Sequence, residues 1–235
     1  MTAPTTALPN DDAVLEVLRH AVGERTVSVL DLGGGTGVYA VPIARHGHRV
    51  LVLDHSNDAL ATLARRAQAE GVGELVDGRA ADLDRLADAI TPGSAEVVLC
   101  HRILEYVDSP AATLAAATSA LAPGGITSIV VANRPGAVLS RVIAGRFDEA
   151  GSILDGASTP QAGARFTAAE ITALLEDVGL RVQQVRGVGL IGELNPSASF
   201  SAQAKALADR LASDATLAQA APLLHIIAGR SEHGA

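Results

Sequence analysis

The chain of 235 residues has no tryptophan and only 2% aromatic residues, so its core has to be built from Ala, Val, Leu and Ile. So few rings also leave few platforms on which nucleic-acid bases could stack. There is a single cysteine, Cys100. It cannot make an internal disulfide, and a reducing, cytoplasmic setting is expected. Lys205 is the only lysine, so almost every cation is an arginine. That fits coding bias, or recognition of planar carboxylates and phosphates. Acidic residues outnumber basic ones by 26 to 18, giving a net charge of −8 and no excess of cations for a nucleic-acid surface. No apolar run approaches the ~18 residues of a membrane span. The start, 1–10, is rich in Thr and Pro, without the basic and apolar segments of a secretory signal. It reads as a flexible tail.

What is present is a core: 48% of residues are apolar and the mean hydropathy is +0.27. That excludes an intrinsically disordered chain. Residues 11–235 are expected to form one domain. Asp11–Val22 has apolar residues at helical spacing and ends at Gly23. Thr26–Leu30 reads as a buried strand, Gly37–His46 as a helix, and Arg49–Leu53 as a second strand. Ser56 or Asn57 caps a helix with Leu60, Leu63, Ala64 and Ala67 on one face. A strand begins at Leu75–Val76, Asp82–Ala89 is a short helix, and Ala95–Cys100 is a strand. Ser109-Pro110 opens a helix to Leu121, and Ile126–Ala132 is a strand. Thr167 to Glu170 is a capping box, followed by strands at Leu180–Val188 and Leu223–Ala228. Such alternation predicts an α/β fold with a largely parallel sheet covered on both faces. Two insertions, at about 134–165 and 192–222, interrupt the rhythm; the second carries an expected helix near Ser201–Leu211. Each either shapes the substrate site or forms a cap or a contact for a homodimer.

The sharpest motif is Val29-Leu-Asp-Leu-Gly-Gly-Gly-Thr-Gly37, a strand entering a glycine loop. Glycines let a ligand lie against bare main chain, and the following helix start favours a polar or anionic group. The spacing is not the dinucleotide G-x-G-x-x-G, because position 38 is Val. It is Asp-x-Gly-x-Gly-x-Gly, from Asp31, Gly33, Gly35 and Gly37. Asp54 ends the next strand, where a carboxylate can accept from two ribose hydroxyls.

These residues resemble motif I of the class I S-adenosylmethionine-dependent methyltransferases. The resemblance runs over about Val27 to Val131 and takes in Ala81-Asp82-Leu83, the 97–110 stretch, and Leu121-Ala-Pro-Gly-Gly125. It implies a Rossmann-like, doubly wound sheet of seven strands, mostly parallel with an antiparallel last strand. It also implies S-adenosylmethionine as cofactor and Ala81, Asp82 and Leu83 beside the adenine. His55 would edge the adenosine, and His101 would supply either main chain or an imidazole. A closer pattern is similar to the bacterial tRNA 5-carboxymethoxyuridine methyltransferases: His101 followed by Leu104-Glu-Tyr-Val107, and Asn133 followed by 142–148. That group's Arg-Tyr pair before the final strand's His is here Pro222-Leu223-Leu224 before His225.

The expected reaction is therefore transfer of a methyl group to a carboxylate or hydroxyl of a small-molecule acceptor. A tRNA wobble-uridine carboxyl methyltransferase and a non-catalytic cofactor-binding partner subunit are the alternatives. A carboxylate acceptor needs cations to hold it; a hydroxyl needs a base, commonly His. The candidate acceptor-side residues are His101, Tyr106, Arg134 and Arg141, with Arg102 and Arg146 behind them. Glu105 is expected to orient its turn. Tyr39 packs beside the methionine end or in the core, His225 belongs to the core, and Cys100 is a small buried apolar group. His46 and His48 flank Gly47 without a third ligand nearby, and no metal is expected.

Overall fold

A computed structural model describes residues 9–157, 163–195 and 201–230. Strands β1 (Ser28–Leu32), β2 (Arg49–Asp54), β3 (Val76–Ala80), β4 (Ala95–His101), β5 (Leu121–Ala132), β6 (Leu180–Val188) and β7 (Leu223–Arg230) form one sheet. Their order is β3-β2-β1-β4-β5-β7-β6. The first five run parallel, and β7 is antiparallel to both its neighbours. The expected seven-stranded α/β sheet with an antiparallel last strand is thus the observed one.

The reason is in the strands' composition. The central strands are continuous apolar runs, such as Val97-Val-Leu-Cys100, because both of their faces are covered. One face carries Leu30, Leu32, Val98, Cys100, Ile129, Leu224, Ile226 and Ala228; the other carries Val29, Val50, Val52, Val97, Leu99 and Val130. Cys100 is fully buried, and burial pushes its thiol up to about 12, with Asp31 adding to the shift.

The helices are α1 (Pro9–Val22), α2 (Ala40–Arg45), α3 (Asn57–Ala69), α4 (Pro110–Ala120), α5 (Arg134–Ile143), α6 (Phe147–Leu154), α7 (Ala168–Asp177), α8 (Leu190–Leu194) and α9 (Ala202–Ser213). Several caps are the expected ones. Ser56 Oγ accepts from Ala59 N–H, Ser109 Oγ from Ala112 N–H, and Thr167 and Glu170 close their capping box.

Some boundaries differ from expectation. Pro9 and Asn10 belong to α1 instead of the tail; residues 1–8 lie outside the described set. The second helix starts at Ala40, not Gly37, because Gly37 has φ +78 and cannot open a right-handed helix. β1 runs on to Leu32, so Asp31 is a strand residue. The region from Leu83 to Asp88 is a 3-10 turn, and β5 begins at Leu121 through an irregular register against β4.

The sheet reverses its order between β1 and β4. In open α/β sheets, ligands bind beyond the carboxyl ends of the strands at such a point. Both the 33–37 loop and the 102–106 turn open there. The first insertion supplies α5 and α6. It leaves Leu139, Val142, Ile143, Phe147 and Leu154 exposed. Asn133 ties its base down by donating to the Gln219 and Ala221 carbonyls at 2.8 and 2.7 Å.

Candidate active site

The loop after β1 is shaped by three glycines in the left-handed region, Gly33, Gly35 and Gly37, at φ +66, +54 and +78. A side chain at Gly33 would collide with Ile103, and one at Gly34 with the Asp31 carboxylate. Over Gly35 the space is open, with Asp54 Oδ2 3.8 Å from where a Cβ would stand. That is the surface on which a ligand can lie against main chain. Gly34 was not singled out from the pattern; the unbroken run of three glycines was its signal.

Asp54 organises the loop. Its Oδ2 accepts from Gly35 N–H at 2.9 Å and its Oδ1 from Ser56 N–H at 2.8 Å. Two lone-pair positions remain for a ligand. His55 is largely exposed, 3.6 Å from Asp54 Oδ1. Ala81 N–H donates to the Asp54 carbonyl at 3.0 Å, which brings 81–83 to the same rim. Asp82 Oδ1 caps the following turn at Asp84 N–H, and Leu83 approaches Gly33.

Asp31 is 1% exposed and its Oδ2 has no hydrogen-bond partner among the described residues. Burial, with the nearby charge of Asp54, pushes its carboxyl up to about 7. Arg66 holds the Thr36 carbonyl of the loop and His55 stands beside Asp54, but Asp31 is left unpaired among the described residues, which suits a positively charged polar ligand.

The other rim is the turn after β4. Arg102 sits at φ +59, the only non-glycine residue with positive φ among the described ones. Its N–H donates to the Val130 carbonyl at 2.8 Å and its Nε to Glu105 Oε1 at 2.7 Å. Glu105 Oε1 also accepts from Ala132 N–H at 2.8 Å, so this buried carboxylate locks the turn to β5 as expected. Tyr106 stands 55% exposed beyond it.

The acceptor-side candidates separate. Arg141, on α5, has its Nε buried without a hydrogen bond, 3.5 Å from Glu149 Oε2, and its charge is near enough to Arg165 to lower that residue's pKa. Arg134 is occupied elsewhere: it donates to Glu170 Oε1 at 2.9 Å and to the Arg165 carbonyl at 3.0 Å. Arg146 lies 3.5 Å from Glu149, 49% exposed. Arg165 was not singled out by sequence reading, yet it stands at the same rim.

The His101 imidazole points away from this rim, along the sheet. Its Nε2 is 2.9 Å from Ser128 Oγ, which is 2.8 Å from His225 Nε2. One hydroxyl hydrogen serves both contacts, so Ser128 donates to one imidazole and accepts from the other. Tyr39 packs edge-on against His101 with ring centroids 4.3 Å apart. Burial holds the His101 imidazole well below its ordinary range, with His225 adding to the effect. Burial, with the Arg186 charge, pushes His225 down to about 3. Both rings are neutral at pH 7, and His225 is the core residue expected. Among the described residues, no three His, Cys, Asp or Glu side chains gather as for a metal ion.

Residues 29–125 match a family model described as a methyltransferase domain. Over 94% of this chain and 82% of the other, the structure superimposes with a TM-score of 0.64 on magnesium protoporphyrin IX methyltransferase from Synechocystis PCC 6803 with bound SAH, at 18% identity. This is the class I methyltransferase fold. Among curated sequences, the chain is 33% identical to the tRNA 5-carboxymethoxyuridine methyltransferase of Escherichia coli (strain K12) over 128 residues, 54% of this chain and 48% of that protein. It is also 33% identical over 160 residues, 68% of this chain and 65% of the other, to the ubiquinone biosynthesis O-methyltransferase of Xanthomonas euvesicatoria pv. vesicatoria (strain 85-10). The match thus spans about half to two thirds of these relatives' length. In the methyltransferase fold of this chain, no described helix is long and apolar enough to cross a membrane.

Proposed function

We propose that this protein is an S-adenosylmethionine-dependent methyltransferase acting on a carboxylate or hydroxyl of a small-molecule acceptor. The observation that carries the reading is the pair Asp31 and Asp54 across an open glycine loop, with Asp31 Oδ2 buried and without a hydrogen-bond partner among the described residues. S-adenosylmethionine has a sulfonium and an ammonium against one carboxylate, so its net charge complements this rim. In this reading Asp54 accepts from the ribose hydroxyls, and Asp31 balances the cationic methionine end. Gly33, Gly35 and Gly37 bring main chain to the ligand. Ala81, Asp82 and Leu83 border the adenine, His55 covers the outer edge of the adenosine, and His101 contributes main chain.

When bound, the cofactor supplies an electrophilic methyl group on a good leaving group. The chain's own task is to bind the acceptor, aim it and keep water out. A hydroxyl acceptor calls for a general base of suitable pKa. The His101 imidazole is buried and hard to protonate, which makes it a poor base. A carboxylate acceptor needs none. A tRNA acceptor draws support from the likeness to the Escherichia coli protein. Against it stand the net charge of −8 and the Pro222-Leu223-Leu224 sequence ahead of His225.

Calorimetric titration with S-adenosylmethionine, S-adenosylhomocysteine, NAD and NADP tests the reading. Binding of the first two and of neither nicotinamide is expected. Binding of a nicotinamide in their place, or of none of the four, would overturn it.

A further inference from the structure

Arg165 joins the rim because the segment 163–166 is laid along the turn after β4. Ala164 N–H donates to the Glu105 carbonyl at 2.8 Å. A Cβ at Gly163 would stand 3.0 Å from the Tyr106 ring. Arg134 holds the Arg165 carbonyl from the other side. Burial lowers the Arg165 guanidinium's pKa, the neighbouring Arg141 and Arg102 lower it further, and Tyr106 acts in the opposite sense. Arg165 thus belongs to the segment laid against Tyr106, with the charges of Arg102 and Arg141, from two other elements, near enough to act on it. Glu105 engages Arg102, and Glu149 stands near Arg141 without hydrogen-bonding its Nε. Among the described residues, no carboxylate lies within ion-pair distance of Arg165. A partly buried cation such as Arg165, set beside two other arginines and without a carboxylate of its own, is uphill unless an anion completes it. The left-handed backbone of Arg102 is a further cost borne at this rim.

We propose that Arg102, Arg141 and Arg165, with Tyr106, form the subsite for the acceptor's carboxylate, so that the acceptor is a small carboxylic acid and the product its methyl ester. The inference rests on the methyltransferase reading above. A planar guanidinium matches a carboxylate through two parallel hydrogen bonds. One oxygen of that carboxylate forms the new O–CH3 bond. The S–CH3 bond breaks, and its electron pair stays on sulfur. The sulfonium and carboxylate charges cancel, and no proton moves. Arg134 is a positioning residue for Arg165, outside the subsite itself.

The test uses the full chain saturated with S-adenosylhomocysteine, titrated by calorimetry with benzoate, phenylacetate, hexanoate and succinate, each against its primary amide. At least one acid binds about tenfold more tightly than its amide, the scale of a charge-assisted hydrogen bond. Arg141→Gln and Arg165→Gln each weaken that acid about tenfold. Both keep their S-adenosylhomocysteine affinity, which also certifies that they fold. Arg165→Lys restores part of the loss. With methyl-labelled S-adenosylmethionine, the label passes to the acid and is released by mild base as methanol. Acids that bind no better than amides, variants that bind acid normally, a base-stable methyl product, or label accepted by bulk tRNA with no acid bound would each overturn the inference. Wild-type protein that fails to bind S-adenosylhomocysteine would strike the underlying reading as well.

Discussion

The loop after β1 and the turn after β4 open on the same cleft but carry opposite charge. On the first side, Asp31 is buried without an ion pair among the described residues, and Asp54 has only the largely exposed His55 beside it, 3.6 Å away. On the second, Arg102 and Arg141 lie against Glu105 and Glu149, while Arg165, near enough to feel both arginines, has no carboxylate within ion-pair distance among the described residues. Each side leaves one ionisable group, Asp31 or Arg165, without an ion-pair partner among the described residues. In the proposed reading the two sides would hold a cation against one wall and an anion against the other, the pairing that methyl transfer from a sulfonium to a carboxylate consumes. Ile103 joins the two walls: it packs over Gly33 while its neighbours Arg102 and Glu105 build the opposite rim.

The largest effect is expected from Gly33→Val, which breaks both walls at once. It drives a branched side chain into Ile103 at φ +66. Urea unfolding should show a loss of about 3 kcal/mol, from strain and overpacking. Asp54→Ala should break only the acidic wall. Calorimetry should show cofactor binding weakened by about 1.5–3 kcal/mol, with acid binding little changed. Equal loss on both sides would mean that the walls are not separable. Arg134→Ala should disturb only the basic wall. It removes the contacts to Glu170 and the Arg165 carbonyl, costing about 1 kcal/mol of stability and loosening acid binding while S-adenosylhomocysteine affinity holds.

The smallest effects are in pH dependence. Asp31 is raised from 3.8 to about 7. Between those values the folded protein without ligand holds a proton that the unfolded chain has released. Its contribution to stability is full below pH 3.8 and is lost as pH rises through 7. His225, lowered from 6.5 to about 3, acts in the opposite sense: its contribution is full above 6.5 and lost as pH falls through 3. A cationic ligand favours ionised Asp31, so cofactor affinity should rise from pH 6 to pH 8. Asp31→Asn should flatten that rise. A rise of equal size in the variant would remove Asp31 from the acidic wall.

The acidic wall was readable in the sequence because it is local. A strand, a glycine loop, a helix and a second strand follow one another, and the spacing Asp31, Gly33, Gly35, Gly37 and Asp54 survives into three positive φ angles and two backbone contacts to one carboxylate. The basic wall was readable only in part. Arg141 and Tyr106 were named, but so was Arg134, which Glu170 and the Arg165 carbonyl occupy. Arg165 went unnamed because nothing near it is periodic. It owes its place to Ala164 pairing with Glu105, a residue far away along the chain. For His101 the sequence left imidazole and main chain both open, and the sheet turned the ring toward Ser128 and His225.

By itself, then, the sequence determined the alternation of strands and helices, the caps, and the glycine loop with its acidic partners. Those depend on side-chain periodicity and on backbone angles that neighbouring residues dictate. The gathering of three arginines, the aim of His101 and the engagement of Arg134 were decided only by the tertiary structure. Guanidiniums on long side chains carry no local signature, and which charges face one another depends on how β4, α5 and the 163–166 segment pack at the reversal of the sheet.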